Sequence, residues 1–255
     1  MQHRPLILVT NDDGITAPGI RYLIKLMNTI GEVVVVAPDS PQSGMGHAVT
    51  INNTLHLEEV SIDNGPQREY TCSGTPVDCV KIAINELLDR TPDLCVSGIN
   101  HGSNSSINVI YSGTMSAAVE AGIKGVPAIG FSLCDYSWNA NFEYSEAYIK
   151  SITTETLKNG LQQGTVLNVN FPKTETAYAG VKICRQANAH WEETFDKRTN
   201  PMGKNYYWLS GNFVNYDTGT DTDEWALNHN FVSVVPVQFD MTAHESINLL
   251  NKWKL

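Results

Sequence analysis

The chain has 255 residues, of which 42% are hydrophobic and 17% are charged, and its net charge at pH 7 is -10. This composition is typical of a globular enzyme and argues against wholesale disorder. The acidic balance argues against binding to a nucleic-acid duplex or to an anionic membrane, because both partners attract a basic surface. The length predicts a single domain with insertions that covers residues 1–255.

Targeting signals and cysteine usage indicate the compartment. No apolar run is long enough for a signal-peptide core or a membrane span. The five cysteines are scattered and lack Cys-x-x-Cys spacing, which argues against a disulfide framework or a structural zinc site. Each is interpreted as a small buried hydrophobic residue, Cys95 in particular because it lies within an apolar strand. We therefore expect a cytoplasmic protein.

Strand and helix patterns alternate along the first two thirds of the chain. The predicted strands are 6–9, 32–37, 94–96 and 128–131, and the predicted helices are 18–30, 75–88 and 113–123. Thr75 and Pro76 form a typical helix start, with an N-cap followed by a first-turn proline. A polar loop is expected at residues 97–111. Strands that alternate with helices predict an α/β fold with a parallel, doubly wound sheet.

The region from about 177 to 217 has a different character, since it is rich in Tyr, Trp, Asn and Lys with little helical periodicity. It is predicted to form irregular strands or a projecting hairpin. Its aromatic residues, Trp191, Phe195, Tyr206, Tyr207 and Trp208, favour either a subunit contact or a local aromatic core. A short helix at 221–228, a strand at 231–235 and a helix at 243–253 are predicted to follow.

Two carboxylates follow the first predicted strand directly, in Asn11-Asp12-Asp13-Gly14. Because ligands of α/β proteins bind beyond the carboxyl ends of parallel strands, the pair is a candidate site for a metal ion or a reacting group. An ordinary turn is the alternative, since these residues are good turn formers. The next strands bring loops 38–46 and 97–104 to the same edge of the sheet. Their carboxylate, hydroxyl and amide oxygens suit Mg²⁺ or Mn²⁺ better than zinc or copper.

The segment Tyr111-Ser112-Gly113-Thr114 begins a predicted helix. Free backbone N–H groups and the positive end of the helix dipole make such a start a phosphate-binding site. The alternative is that Ser112 or Thr114 only caps the helix. Few basic side chains lie near these loops, so a metal ion, amides and hydroxyl groups would have to neutralise a bound phosphate.

Several short motifs follow one another in the first half of the chain. They are Asn11-Asp12-Asp13-Gly14, Ala17-Pro18-Gly19, Ser43-Gly44, Ser97-Gly98-Ile99-Asn100 with Gly102 and Asn104, and Tyr111-Ser112-Gly113-Thr114. In this order they resemble the SurE family of nucleotidases. The resemblance implies a three-layer αβα Rossmann-like core with a mostly parallel sheet, in which residues 1–135 carry the site. It also implies a C-terminal β-hairpin excursion at about 177–255 that is used to form homodimers or homotetramers.

The resemblance also implies the residues and the cofactor of the site. The cofactor is one divalent metal ion, Mg or Mn, and the substrate is a nucleoside monophosphate. The implied metal ligands are Asp12, Asp13, Ser43 and Asn100, of which Asp12 and Asp13 would also be catalytic. The implied phosphate-binding residues are Gly44, Asn104, Ser112, Gly113 and Thr114.

The mechanistic hypothesis is hydrolysis of nucleoside 5′-monophosphates by an activated water molecule. The four ligands would hold the ion that polarises a phosphoryl oxygen and presents the water, while amides and hydroxyls stabilise the developing charge. Either Asp12 or Asp13 would orient or deprotonate the water. His101 is the best placed histidine to protonate the leaving group, although an ordinary polar loop histidine is the simpler interpretation. Hydrolysis of 3′-monophosphates or short polyphosphate stays open.

Two other functions fit parts of the sequence. An aspartyl-phosphate phosphatase also carries an aspartate after its first strand, but typically as Asp-x-Asp, whereas Asp12 and Asp13 are adjacent. A non-catalytic nucleotide-binding or metal-binding module is the second alternative. Neither Gly-x-x-x-x-Gly-Lys nor Gly-x-Gly-x-x-Gly occurs, so the standard nucleotide loops do not support it.

Overall fold

The computed structural model describes residues 4–254. Its strands are β1 (Leu6–Thr10), β2 (Glu32–Pro38), β3 (Leu57–Val60), β4 (Arg68–Cys72), β5 (Leu94–His101), β6 (Ala128–Leu133), β7 (Thr165–Phe171), β8 (Gly180–Ile183), β9 (Ala189–Thr199), β10 (Asn205–Asn215) and β11 (Phe231–Gln238). Its α-helices are α1 (Pro18–Met27), α2 (Pro76–Ile82), α3 (Gly113–Ile123), α4 (Glu146–Asn159), α5 (Asp223–Asn228) and α6 (His244–Leu250).

One sheet runs through the described part of the chain in the order β3-β4-β2-β1-β5-β6-β7-β11-β8. Six adjacent strands of this order, β4, β2, β1, β5, β6 and β7, are parallel to one another. Strand β3 pairs antiparallel with β4, and β11 pairs antiparallel with β7. The mostly parallel sheet predicted from the alternation of strands and helices is therefore confirmed. The carboxyl ends of β1, β2 and β5 lie next to one another, which brings their loops to one edge.

Strand β1 lies in the middle of the sheet, and all five of its residues are buried. Ile7 and Val9 pack with α1 and α4 on one face, whereas Leu6 and Leu8 pack with α2 and α3 on the other. Because both faces of this strand are covered, nearly all of its side chains are apolar, and the sequence shows a continuous apolar run. The helices on the two faces give the predicted αβα layers.

Helices α1, α2 and α6 end before their predicted carboxyl ends, whereas α3 has its predicted bounds, 113–123. Helix α1 ends at Met27 and not at the predicted residue 30, because the following residues tighten into i to i+3 turns. Thr75 caps α2 as predicted, and Thr75 and Asp78 form a capping box. Helix α2 ends at Ile82 and is followed directly by a π-helical segment, Ala83–Leu87. The predicted apolar stripe therefore extends beyond the α-helix into this segment. Helix α6 is shorter than its predicted range, 243–253.

Strand β5 is longer than predicted, since residues up to His101 belong to the strand and not to the expected polar loop. Asn100 and His101 pair with Ser132 and Leu133 of β6 after a shift in register. Polar residues can extend this strand because pairing satisfies their backbone groups regardless of their side chains. The sequence patterns also did not predict β3, β4, α4, β7 or β8.

The predicted hairpin is confirmed as β9 and β10, an antiparallel pair separate from the main sheet. Most of its residues are exposed. The predicted helix and strand that follow it correspond to α5 and β11. The cysteines are free thiols, and Cys95 is buried in β5 as predicted. Between residues 4 and 254, no helix is long and apolar enough to cross a membrane.

Candidate metal and phosphate site

The adjacent carboxylates lie in the turn that follows β1. Asn11 Nδ2 donates a hydrogen bond of 2.9 Å to the backbone oxygen of Gly14, so the turn predicted as the alternative is formed. Asp12 is nearly fully buried, with 3% of its surface exposed, whereas Asp13 is partly exposed. The turn therefore holds one carboxyl group inside the protein and the other at the edge of the sheet.

The electrostatic environment of these two carboxyl groups is unfavourable to negative charge. Burial, with a smaller contribution from the neighbouring charge of Asp13, raises the pKa of Asp12 to about 6. Burial also raises the pKa of Asp13, although the backbone N–H and the charge of His101 oppose this shift. Neither carboxyl group forms an ion pair with a Lys or Arg among the described residues. The pair therefore lacks a strong cationic partner within residues 4–254.

Hydrogen bonds bring three of the four predicted metal ligands together. The Thr114 hydroxyl donates to Asp12 Oδ1 at 2.5 Å and lies 3.4 Å from Asn100 Oδ1. The backbone N–H of His101 donates to Asp13 Oδ2 at 3.2 Å. Since Asn100 precedes His101 at the end of β5, Asp12, Asp13 and Asn100 lie around one point.

The fourth predicted ligand, Ser43, lies on the loop after β2. The backbone N–H of the preceding Gln42 donates to the backbone oxygen of Asp12 at 2.7 Å, so the loop is held beside the turn. Ser43 and Gly44 are both exposed, and Gly44 has a φ of +75° with open space where a side chain would be. Ser43 and Gly44 are therefore accessible to solvent at the edge where the other loops meet.

The start of α3 lies directly against Asp12. A Cβ atom on Gly113 would come within 2.7 Å of Asp12 Cβ, so only glycine allows this approach. The Ser112 hydroxyl accepts a hydrogen bond of 3.0 Å from the Met115 N–H, so Ser112 is the N-cap residue. The capping role predicted as the alternative is thus filled by Ser112, whereas Thr114 is bonded to Asp12. The first turn of α3 presents its N–H groups beside the carboxylates.

Asn104 is buried, as are Ser112, Gly113 and Thr114, whereas Gly44 is exposed. Asn104 Nδ2 donates to Ser132 Oγ at 2.9 Å, and the Asn104 backbone N–H donates to Asn170 Oδ1 at 2.8 Å. Asn168 Nδ2 donates in turn to the backbone oxygen of Asn104 at 2.8 Å. These contacts anchor the loop after β5 to strands β6 and β7. Asn168 and Asn170 were not predicted from the sequence, although two asparagines at alternate positions of an apolar strand are a recognisable signal.

The donor atoms at this edge fit a hard divalent cation. The carboxylates of Asp12 and Asp13 and the amide oxygen of Asn100 lie there, and oxygen ligands of this kind suit Mg²⁺ or Mn²⁺. Among residues 4–254, no group of three or more His, Cys, Asp or Glu side chains is arranged to hold a metal ion. A metal held here would therefore take Asp12 and Asp13 together with the neutral oxygens of Ser43 and Asn100.

The side chain of His101 is held by a hydrogen bond and by contacts with two aromatic rings. Its Nδ1 lies 2.8 Å from the backbone oxygen of Ser137, and its ring stacks on Trp138 and meets the edge of Phe142. Its Nε2 is buried without a hydrogen-bond partner among the described residues. This packing favours the simpler interpretation of His101 as a structural histidine.

Ion-pair contacts to the buried Glu120 support the loop that carries Ser43. Glu120 of α3 lies between Lys81 of α2, whose Nζ is 2.6 Å from its Oε1, and His47, whose Nε2 is 3.1 Å from its Oε2. His47 follows Gly46, whose backbone N–H donates to the Tyr111 oxygen at 3.2 Å. The loop after β2 is thereby fastened to both ends of α3.

Known proteins resemble this chain along nearly its whole length. The sequence model of the family described as Survival protein SurE matches residues 7–193. The 5'-nucleotidase SurE of Flavobacterium psychrophilum is 70% identical over 253 residues, which cover 99% of this chain and 98% of that protein. The 5'-nucleotidase SurE of Flavobacterium johnsoniae is 68% identical over 253 residues, with the same coverage of 99% and 98%. Among solved structures, the SurE protein from Aquifex aeolicus has a TM-score of 0.83 and 35% identity, over 97% of this chain and 98% of that chain.

Proposed function

Because the chain belongs to the SurE family, we propose that it is a metal-dependent 5′-nucleotidase that hydrolyses nucleoside 5′-monophosphates to nucleoside and phosphate. The observation that carries this proposal is the contact between Asp12 and the start of α3. A buried carboxylate that could hold a cation touches a helix N-terminus that could bind an anion. This combination suits a phosphate ester that is bound through a divalent ion.

The proposed metal ligands are Asp12, Asp13, Ser43 and Asn100. When bound, the ion supplies a Lewis acid for a phosphoryl oxygen and lowers the pKa of water. The Thr114 hydroxyl contacts both Asp12 and Asn100, and Asp13 accepts a hydrogen bond from the backbone N–H of His101 next to Asn100, which supports this set. Asp13 is the better candidate to orient the attacking water, because it is partly exposed whereas Asp12 is buried and bonded to Thr114.

The proposed phosphate pocket consists of Gly44, Asn104, Ser112, Gly113 and Thr114. The backbone N–H groups at the start of α3 would donate to the phosphoryl oxygens and stabilise the charge that develops during in-line attack. Gly44 closes the pocket from the opposite loop, and the absence of a side chain lets a phosphate approach its backbone. Asn104 contributes by holding the loop after β5 through its bonds to Ser132 and Asn170.

Further properties belong to the same proposal. The metal ion is Mg²⁺ or Mn²⁺, in agreement with the oxygen donors of the site. The chain forms one domain, residues 1–255, in which the segment at about 177–255 joins subunits into a dimer or tetramer. The exposed aromatic side chains of Phe195, Tyr206, Tyr207 and Trp208 in β9 and β10 support such a contact. Five free thiols support a reducing, cytoplasmic location.

The test is phosphate release from AMP and GMP with Mg²⁺, with Mn²⁺ and with EDTA. We expect metal-dependent activity in the wild type and its loss in Asp12→Asn. Asp39→Asn is the matched control, because Asp39 is an exposed carboxylate after β2 at the same edge of the sheet. A covalent phospho-enzyme trapped during turnover would favour an aspartyl-phosphate mechanism. Tight nucleotide binding without phosphate release would favour a binding module and contradict the proposal.

A further inference from the structure

A cleft of about 500 Å³ lies between the candidate phosphate site and the hairpin. Gly44 and Tyr111 line one side, and Trp191, Glu193 and Leu209 of the hairpin line the other. Small-molecule sites in proteins are commonly of this size and are lined mainly by apolar and aromatic side chains. The cleft therefore has the dimensions and the lining of a ligand site.

The indole ring of Trp191 is held in place. Its Nε1 donates to Asn108 Oδ1 at 2.8 Å, and its ring meets Phe213 edge to face with the centroids 5.5 Å apart. The polar edge of the indole is therefore already bonded to a protein side chain, while 42% of the residue surface stays exposed. A fixed and partly exposed aromatic ring is suited to stacking, because little side-chain freedom is lost when a planar ligand binds.

The cleft continues the proposed phosphate pocket. Gly44 belongs to both, and Tyr111 directly precedes the helix start at Ser112. The hydrogen bond from Gly46 N–H to the Tyr111 oxygen keeps the two sides of this junction together. A phosphate bound at the start of α3 would therefore direct its organic group into the cleft.

Charge indicates which end of the ligand occupies the hairpin side. Glu193 carries a negative charge at the cleft, which disfavours a phosphate there and favours an uncharged group. Of the parts of a nucleoside monophosphate, only the base is both uncharged and planar. The apolar surfaces of Trp191, Tyr111 and Leu209 match that planar group.

We propose that this cleft is the nucleobase subsite, with Trp191 as the stacking surface that determines substrate preference. The inference rests on the proposed function and extends it to the organic part of the substrate. Stacking of a base on an aromatic side chain changes binding by roughly fivefold to more than a hundredfold. A purine stacks more strongly than a pyrimidine because its ring system is larger, so the loss of Trp191 affects AMP more than UMP.

The test compares kcat/KM for AMP, UMP and ribose 5-phosphate, which lacks a base, in the wild type and in Trp191→Ala. We expect KM for AMP to rise about tenfold or more. The loss of kcat/KM is expected to be several times larger for AMP than for ribose 5-phosphate. Trp191→Phe keeps an aromatic ring and is expected to recover most of the loss. Trp208→Ala is the matched control, because Trp208 is an exposed hairpin tryptophan outside the cleft.

The outcomes separate this inference from the proposed function. Equal losses of kcat/KM for AMP and ribose 5-phosphate in Trp191→Ala would overturn the subsite while leaving the nucleotidase proposal intact. An altered size in size-exclusion chromatography together with equal losses would identify the cleft as a contact between two copies of the chain, which also overturns the subsite. A wild-type protein that releases no phosphate from any nucleotide would refute both.

Discussion

Gly113 at the start of α3 lies against Asp12 at the end of β1, and a Cβ on Gly113 would be 2.7 Å from Asp12 Cβ and 2.9 Å from Asp12 Oδ2. Real Cβ atoms do not approach other atoms so closely, so a larger residue would push the helix and the carboxylate apart. The contact joins the proposed phosphate pocket to the proposed metal site through the absence of a single side chain. Its consequences can be tested by substitution.

Gly113→Ala is expected to lower kcat/KM for AMP by about 100-fold, because a displacement near 1 Å in a catalytic site costs that much. The measurement is phosphate release, together with the melting temperature to show that the fold is kept. Gly65→Ala is the matched control, because its added Cβ would meet only the flexible side chain of Gln67. Wild-type activity in Gly113→Ala would show that this contact is not needed to position the proposed metal site against the proposed phosphate pocket.

The buried carboxyl group of Asp12 predicts an unusual pH dependence of stability. Its pKa rises from 3.8 to about 6 on folding, so the folded, metal-free protein holds this proton more tightly than the unfolded chain. Ionisation of Asp12 therefore lowers the free energy of unfolding as the pH rises from about 4 to about 6. Asp12→Asn removes this cost and is expected to be more stable than the wild type above pH 6, by about 3 kcal/mol.

Urea unfolding in EDTA at pH 4, 5, 6 and 7.5 measures this difference. The two proteins should have similar free energies of unfolding at pH 4, where Asp12 is largely protonated in the folded state and about half protonated in the unfolded chain, and should diverge as the pH rises. Asp39→Asn, which changes an exposed carboxylate, is the control. A wild type that is more stable than Asp12→Asn at pH 7.5 would contradict the prediction.

Asp223 connects the base of the hairpin to the loop after β5. Its carboxylate accepts hydrogen bonds from the backbone N–H groups of Ser106, at 2.7 Å, and Ala187, at 2.9 Å. Asp223→Ala leaves both buried donors without a partner, and we expect a loss of about 2–4 kcal/mol in the free energy of unfolding. Asp223→Asn keeps one acceptor oxygen and should lose less.

Urea denaturation checks this prediction, with Asp221→Ala as the control. Asp221 is exposed and pairs with Arg185 at the surface, where solvent screens the pair, so its removal is expected to cost much less stability than the removal of Asp223. Equal stabilities of Asp223→Ala and Asp221→Ala would show that the buried hydrogen bonds contribute little.

Glu120 is buried between Lys81 and His47, and its side chain is only 3% exposed. Lys81→Met leaves this carboxylate without its shorter partner, which costs stability because a buried charge then lacks compensation. Lys81 is itself 35% exposed, and solvent screening reduces the expected loss to about 1–2 kcal/mol. Adding Glu120→Gln to Lys81→Met should recover part of this loss.

A double-mutant cycle of Lys81→Met and Glu120→Gln, measured by urea unfolding, gives the coupling between the two side chains. We expect the double variant to lose less stability than the sum of the single variants. Additive losses would show that the ion pair does not couple α2 to α3.

Much of the fold and of the candidate site could be predicted from the sequence, because several signals are local. Leu6 to Val9 form an apolar run since β1 is covered on both faces, and Thr75 and Ser112 mark helix starts by their capping chemistry. Asp12 and Asp13 follow a buried strand, and a strand end is where an α/β protein binds its ligands. The order of the short motifs along the chain is by itself enough to indicate the SurE family.

Other features were decided only by the tertiary structure. The edge strands β3 and β8 are short and lack a clear pattern, and the polar end of β5 is a strand only because β6 pairs with it. The hydrogen bond from Thr114 to Asp12 joins residues 102 positions apart, so no local pattern could predict it. The sequence determined which residues end strands and begin helices, because backbone and capping preferences act over a few residues. Only the packing of distant elements decided which of these residues touch, because each such contact depends on the order of strands in the whole sheet.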